Sequence, residues 1–141
     1  MSIRGKRKDN DEWAYGDIAH IEDRIFVSYY NNCELKQFIN DEVTSNNITL
    51  VGIFPFVEVI PETVGQDTGY SDKNFNRIFE DDIFVGFLGY HYVVKYYPEH
   101  AAFMARCVET NRVDYLCNFK QSDIAVVGNI HDNPIISVEV V

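Results

Sequence analysis

Acid–base or metal chemistry needs carboxylates, imidazoles or thiols brought onto one face. Glu80-Asp81-Asp82 is the densest carboxylate run in the chain, with His131 as a candidate partner for general acid–base work. On a strand, however, successive side chains point to opposite faces, so the three cannot converge on one ion. A solvated turn leading into a strand is the expected role. Asp67, Asp72 and Asp82 could gather around a divalent cation, but their spacing is not that of an EF-hand loop. His20, His91, His100 and His131 form neither an HxH nor an HExxH pair. Ser28 and Ser45 lie outside any GxSxG elbow. Cys33, Cys107 and Cys117 are an odd set with no CxxC pair, and are read as small buried apolar residues of a reducing compartment. The reading therefore assigns no catalytic residue, no metal site and no cofactor, and the protein is expected not to be an enzyme.

Binding chemistry has two leads. The first is Arg4, Lys6, Arg7 and Lys8, a basic run that could grip phosphate. Asp9, Asp11 and Glu12 follow at once and cancel much of its field beyond a Debye length of about 10 Å, so a solvated first strand or frayed terminus is the plainer reading. The second is Tyr90, Tyr92, Tyr96, Tyr97 and Phe103, which could stack bases on a barrel face. That region supplies only Lys95 and Arg106 as cations, and cross-strand packing is the better account. No GxGxxG or GxxxxGK[ST] occurs, and Gly65-Gln-Asp-Thr-Gly69 lacks the lysine of a phosphate loop. The net charge of −10 opposes attraction to nucleic acid or an anionic membrane.

The elements that would position these groups read mainly as strands. With 141 residues, of which 14% are aromatic, the chain can bury a core without disulfides or metal. Trp13–Ile21 reads as a strand with Gly16 as a candidate bulge, and Glu22-Asp23-Arg24 turns it into Ile25–Tyr30. Leu35, Phe38 and Ile39 predict one short helix between Cys33 and Asn40. Ile48–Ile53 and Phe56–Ile60 are strand-like, and Glu62–Arg77, rich in Gly, Asp and Asn, is expected to be an extended loop. Asp82–Leu88, Tyr90–Tyr97, Ala102–Val108, Val113–Phe119 and Ile124–Ile130 are five short strands, with Gly89 in a tight turn and Asn111 at φ > 0 in a four-residue loop. Ile135–Val141 could add an edge strand. The expected fold is mainly β: an N-terminal β-rich region over 1–61 with at most a short helix, then a connecting loop and a small SH3-like or OB-like barrel over 62–141, the two regions able to form one integrated domain.

Three ordered segments resemble the YopX-like family of phages and prophages. They are Arg4-Gly-Lys-Arg-Lys-Asp-Asn-Asp-Glu-Trp-Ala-Tyr-Gly16; Val59-Ile-Pro-Glu-Thr-Val-Gly-Gln-Asp-Thr-Gly69 continuing through Asp72-Lys-Asn74 to Ile78-Phe-Glu-Asp-Asp-Ile83; and Val127-Gly-Asn-Ile-His-Asp-Asn-Pro134. Phe75 and Asp81 stand where that family usually has glycine. If those glycines have φ > 0, Asn74 or Asp81 must absorb it or the turns must change type. The resemblance implies a mostly β fold and a phage or prophage protein in a bacterial cytoplasm. It supplies no functional residue to carry over.

Cytoplasmic location also agrees with the polar opening residues and with the lack of any apolar run near the roughly 20 residues that span a bilayer. The leading expectation is a non-enzymatic module that contacts a phage or host protein, with homo-oligomerisation through an edge strand in the same class. Nucleic-acid binding through Arg4–Lys8 ranks second. An enzyme built on Glu80–Asp82 and His131 ranks third.

Overall fold

The computed structural model describes residues 2–28 and 56–133. The expected short helix at Cys33–Asn40, the expected strand Ile48–Ile53 and the expected edge strand Ile135–Val141 lie outside them. The chain divides into two compact units, Met1–Val64 and Gly65–Val141. As the aromatic and β-branched content requires, the architecture is mainly β, and no helix of seven or more residues occurs among the described residues.

In the first unit, β1 (Ile3–Lys6) pairs antiparallel with β2 (Trp13–Gly16), from Ile3 opposite Gly16 to Lys6 opposite Trp13. A second set of strands runs in the order β3 (Ile18–Ile21), β4 (Arg24–Ser28), β5 (Phe56–Val59). The single strand expected over Trp13–Ile21 is thus divided at Asp17. Asp17 N donates to Ser28 Oγ at 2.8 Å and Ser28 N donates to Asp17 O at 2.8 Å, so the chain changes partners there. A Cβ on Gly16 would lie 2.0 Å from Ser28 O; only glycine lets the two backbones come this close. The expected hairpin forms, with Ile21 opposite Arg24 and Glu22 at φ +56°. Ala14, Val27 and Val59, all fully buried, form this unit's core.

The second unit holds β6 (Gly65–Ser71), β7 (Arg77–Phe79), β8 (Asp82–Val85), β9 (His91–Tyr97), β10 (Ala102–Cys107), β11 (Val113–Tyr115) and β12 (Ala125–Asn129). The strands expected of a small barrel assemble as an antiparallel sheet in the order β11-β10-β9-β8-β12. Alternation along β8 and β9 sends Phe84 and Val94 to one face, with Ile78, Ala105, Leu116 and Ile124. Ile83 and Val93 go to the other, with Val108. Gly89 (φ +85°) and Asn111 (φ +62°) occupy their expected turns.

The connecting loop expected over Glu62–Arg77 is a correction. Past a short 3₁₀ turn at Pro61–Thr63, β6 and β7 form an antiparallel hairpin, with Asp67 opposite Phe79 and Ser71 opposite Arg77. Its Gly and Asx residues shape a bulged strand and a turn rather than a loop. Asp67 Oδ1 accepts from Gly69 N at 2.8 Å, and Asp67 Oδ2 lies 3.1 Å from the Arg77 guanidinium. Asp72 is fully buried. Its carboxylate accepts from Asn74 N (2.9 Å), Asn76 N (2.8 Å), Asn76 Nδ2 (3.2 Å) and, across the unit, Val126 N at 2.9 Å. One side chain thus shapes the hairpin turn and ties it to β12.

Burial is the largest single influence on Asp72 and pushes its pKa up. The hydrogen bonds from Val126 N, Asn76 and Asn74 together outweigh it, and the carboxyl titrates below its ordinary value. The folded state therefore favours the ionised form. Its contribution is fully present above about pH 4 and is lost as pH falls through the lowered folded value. Asp72→Ala, which strands several buried donors, should lower unfolding free energy by about 2–4 kcal/mol in urea titrations at neutral pH. Asp72→Asn should be destabilised at neutral pH and lose part of the wild-type decline on acidification.

Candidate functional site

The four N-terminal cations do not form a free arm. Arg4 and Arg7 are buried, on β1 and at a single bridge to Val59 just after it. The Arg4 guanidinium carbon lies 4.5 Å from the Trp13 ring centroid and Lys6 Nζ lies 5.8 Å from it, within cation–π range. Arg7 meets Asp9 at 2.7 Å, and Lys8 meets Glu58 at 2.9 Å. Arg24 reaches the same Glu58 at 2.7 Å. Arg24 first, and then Lys8, pull the Glu58 carboxyl down to about 2. The sequence could place the cations on a first strand, but not Glu58, which arrives from β5.

The carboxylate run is not the solvated turn expected of it: Glu80 is half-buried, and Asp81 and Asp82 are buried. Each of the three acids has a structural partner. Glu80 accepts from Gln66 N at 3.3 Å and Tyr96 N at 3.2 Å. Asp82 Oδ2 accepts from Phe79 N at 2.8 Å. Asp81 Oδ1 lies 3.1 Å from Lys95 Nζ, and Asp81 Oδ2 lies 2.9 Å from His131 Nε2. Asp81 and His131 do come together, as an enzyme reading needs, but Lys95 and His131 occupy both oxygens of that carboxylate. Among the described residues no group of three His, Cys, Asp or Glu side chains is placed to hold a metal ion.

His131 is held by its own loop. Asn129 Oδ1 accepts from His131 N at 3.0 Å and from Asp132 N at 2.9 Å, while Asn129 Nδ2 donates to Asp132 Oδ2 at 2.9 Å. The aromatic residues serve mainly as packing. Tyr92 stacks on Phe84 with centroids 5.1 Å apart and meets Phe119 edge-on at 4.9 Å, and burial raises its pKa. Tyr96 and Phe103, direct cross-strand partners, meet edge-on at 5.3 Å. Cys107 is buried as expected, Cys117 is exposed against expectation, and Cys33 lies outside the described residues.

What remains is one end of the second unit. Register carries the β8–β9 turn beyond Val85 opposite Ala125. Lys73 N donates to Ile124 O at 2.9 Å, and Gln121 Nε2 donates to Asp72 O at 3.0 Å. The β6–β7 turn, the β8–β9 turn and the 3₁₀ turn Gln121–Asp123 therefore share this end of the sheet. The β10–β11 turn joins them through Glu109, which accepts from His91 N and pairs with His91 Nδ1, both at 2.8 Å. Burial works against ionisation of Glu109, but its hydrogen bonds to His91 outweigh that and hold its pKa below the ordinary value. On these turns stand the three most exposed large apolar side chains among the described residues: Phe75 (82% exposed), Phe87 (81%) and Leu88 (76%). Sequence reasoning singles out Phe75 only as a replacement for glycine, and passes over Phe87 and Leu88 because they read as the end of the expected strand Asp82–Leu88. The signal available was Gly86 and Gly89, which bracket them.

The chain matches the family model described as YopX protein over residues 3–136. It belongs to the YopX family. No curated protein matches it. Each of the two positions at which this YopX chain replaces an expected glycine has φ > 0: Phe75 at +65° and Asp81 at +72°. The left-handed conformation expected to fall on Asn74 falls on Phe75 itself, since Phe75 N donates to Asp72 O at 3.0 Å and closes the turn there. The family's central and closing signatures meet twice in space, both at Asp81: its carboxylate pairs with His131, and its carbonyl accepts from Ile130 N at 3.0 Å. They read as a structural framework around β12.

Glycine at these two sites should have opposite effects. A left-handed residue with a Cβ costs about 1–2 kcal/mol, and Phe75 is too exposed to recover much of that by packing. Phe75→Gly should therefore raise unfolding free energy by about 0.5–1 kcal/mol after the entropy glycine adds to the unfolded chain. Asp81→Gly relieves the same strain but removes the partner of Lys95 and His131 from a buried position, and should lower it. Thermal or urea unfolding of the two variants, measured side by side, checks both signs.

Proposed function

We propose that this YopX-family chain is a non-enzymatic interaction module that contacts a phage or host protein through the turn end of its second unit. The observation that carries this reading is the placement of Phe75, Phe87 and Leu88 together on turns at one end of the sheet. Single exposed apolar residues are ordinary, whereas several at one place favour a protein contact. The β8–β9 turn presenting Phe87 and Leu88 is closed by Gly86 N donating to Tyr90 O at 2.9 Å and Gly89 N donating to Gly86 O at 3.0 Å. A turn held in this way loses little freedom on binding. The groups that an enzyme reading would use, Glu80, Asp81, Asp82 and His131, are each taken up by fixed hydrogen bonds, which supports binding over catalysis.

Phe87→Asp combined with Leu88→Asp tests this. Both side chains are exposed, so thermal stability should change by no more than about 0.5 kcal/mol. Tagged wild-type protein should retain a stoichiometric protein partner from phage-infected or prophage-induced lysate after nuclease treatment, and the double variant should lose it. Retention by the variant, or partners that vanish with nuclease, would overturn the proposal.

A further inference from the structure

The turn end carries one feature that apolar exposure alone does not explain. A shallow depression of about 420 Å³ is lined by Lys73, Phe75, Lys120, Gln121 and Ser122. Its lining holds two ammonium groups and no carboxylate, in a chain with 22 acidic and 12 basic residues. Neither lysine makes an ion pair among the described residues. A depression of the same size in the first unit has the opposite character. It is lined by Lys8, Asp9, Phe56, Val57 and Glu58, and its lysine is neutralised by Glu58 at 2.9 Å. Asp72 adjoins Lys73 in sequence, but its carboxylate is fully buried and turned to Val126 N, Asn74 N and Asn76. Asp123 follows the lining residues on the same 3₁₀ turn and does not line the depression.

The walls are fixed independently of any ligand. Gln121 Nε2 to Asp72 O and Lys73 N to Ile124 O hold the two turns together, and Phe75 N to Asp72 O closes the β6–β7 turn itself. Phe75 is therefore presented as an open apolar platform in a depression shared with two lysines that pair with no acid among the described residues.

We propose that this depression takes an acidic segment of the protein partner, its carboxylates meeting Lys73 and Lys120 and an adjoining apolar side chain seated on Phe75. This rests on the interaction reading above and names the partner's chemistry. Local charge complementarity selects the segment. A short acidic segment brings a few charges against a net −10, whereas a nucleic-acid strand brings one per nucleotide and needs a longer cationic track than two lysines supply.

The test is a selection of displayed random peptides on the immobilised full chain, followed by affinity measurement on wild type, Lys73→Glu/Lys120→Glu and Phe87→Asp/Leu88→Asp. Enriched peptides should carry Asp or Glu beside an aromatic or aliphatic residue. Their affinity should fall roughly tenfold in the lysine variant, the scale set by exposed ion pairs turned to repulsion, and should weaken as salt rises. Matching thermal unfolding of wild type and lysine variant would show that the fold is retained. Peptides that bind the lysine variant as well as wild type but fail on Phe87→Asp/Leu88→Asp would overturn this inference and leave the interaction surface standing. No enriched peptide at all would count against both. Lysine-dependent binding of oligothymidylate, or a lysine-dependent dimer in light scattering, would replace the acidic segment with a nucleic acid or a second copy and so overturn it.

Discussion

The second unit depends on keeping one buried carboxylate ionised. Asp72 has no exposure and accepts four hydrogen bonds, three from its own turn and one from β12. A buried charge is tolerable only when donors replace the water it has lost. Here the donors are mainly backbone N–H groups that would otherwise themselves be stranded. The arrangement satisfies both sides at once. It fixes the β6–β7 turn, sets where β12 begins, and so determines which residues stand on the turn end: Lys73 and Phe75 next to Asp72, and Gln121 through its bond to the Asp72 carbonyl.

A similar economy runs through the rest of the polar interior. Asp67 shapes the bulge of β6, Asp82 receives Phe79 N, and Asp81 holds Lys95 and His131. These residues are acidic because a carboxylate offers several acceptor sites in a small volume. The same residue types, met in a sequence, suggest catalysis or metal binding, and a structural role produces the same pattern.

This explains which parts of the fold were legible. The β3–β4 hairpin and strands β8 to β12 follow from local alternation and from turn residues with a single conformational use, such as Gly89 and Asn111. Glu62–Arg77 was misread because its Gly, Asp and Asn residues carry a loop signature, while the interactions that make it a hairpin come from Phe79, Arg77 and Val126, some of them far along the chain. The candidate site was the least legible part. Only the bracketing glycines Gly86 and Gly89 distinguish Phe87 and Leu88 from the end of a strand, and nothing local marks Lys73 and Lys120, 47 positions apart, as neighbours. The two substituted glycines were informative in a different way: resemblance marked the positions, and the backbone explains them, since both carry φ > 0.

The Asn129 loop, with its bonds to His131 and Asp132, closes one end of β12, and Asp72 closes the other. A terminal strand of a small sheet would ordinarily fray, its amides exchanging with solvent through local opening well below the cost of global unfolding. β12 cannot separate from β8 without uncovering the carboxylates of Asp72 and Asp81 together. Its opening therefore carries the cost of two uncovered carboxylates, and the amides of this marginal strand are expected to exchange more slowly than those of a strand held by its ladder alone.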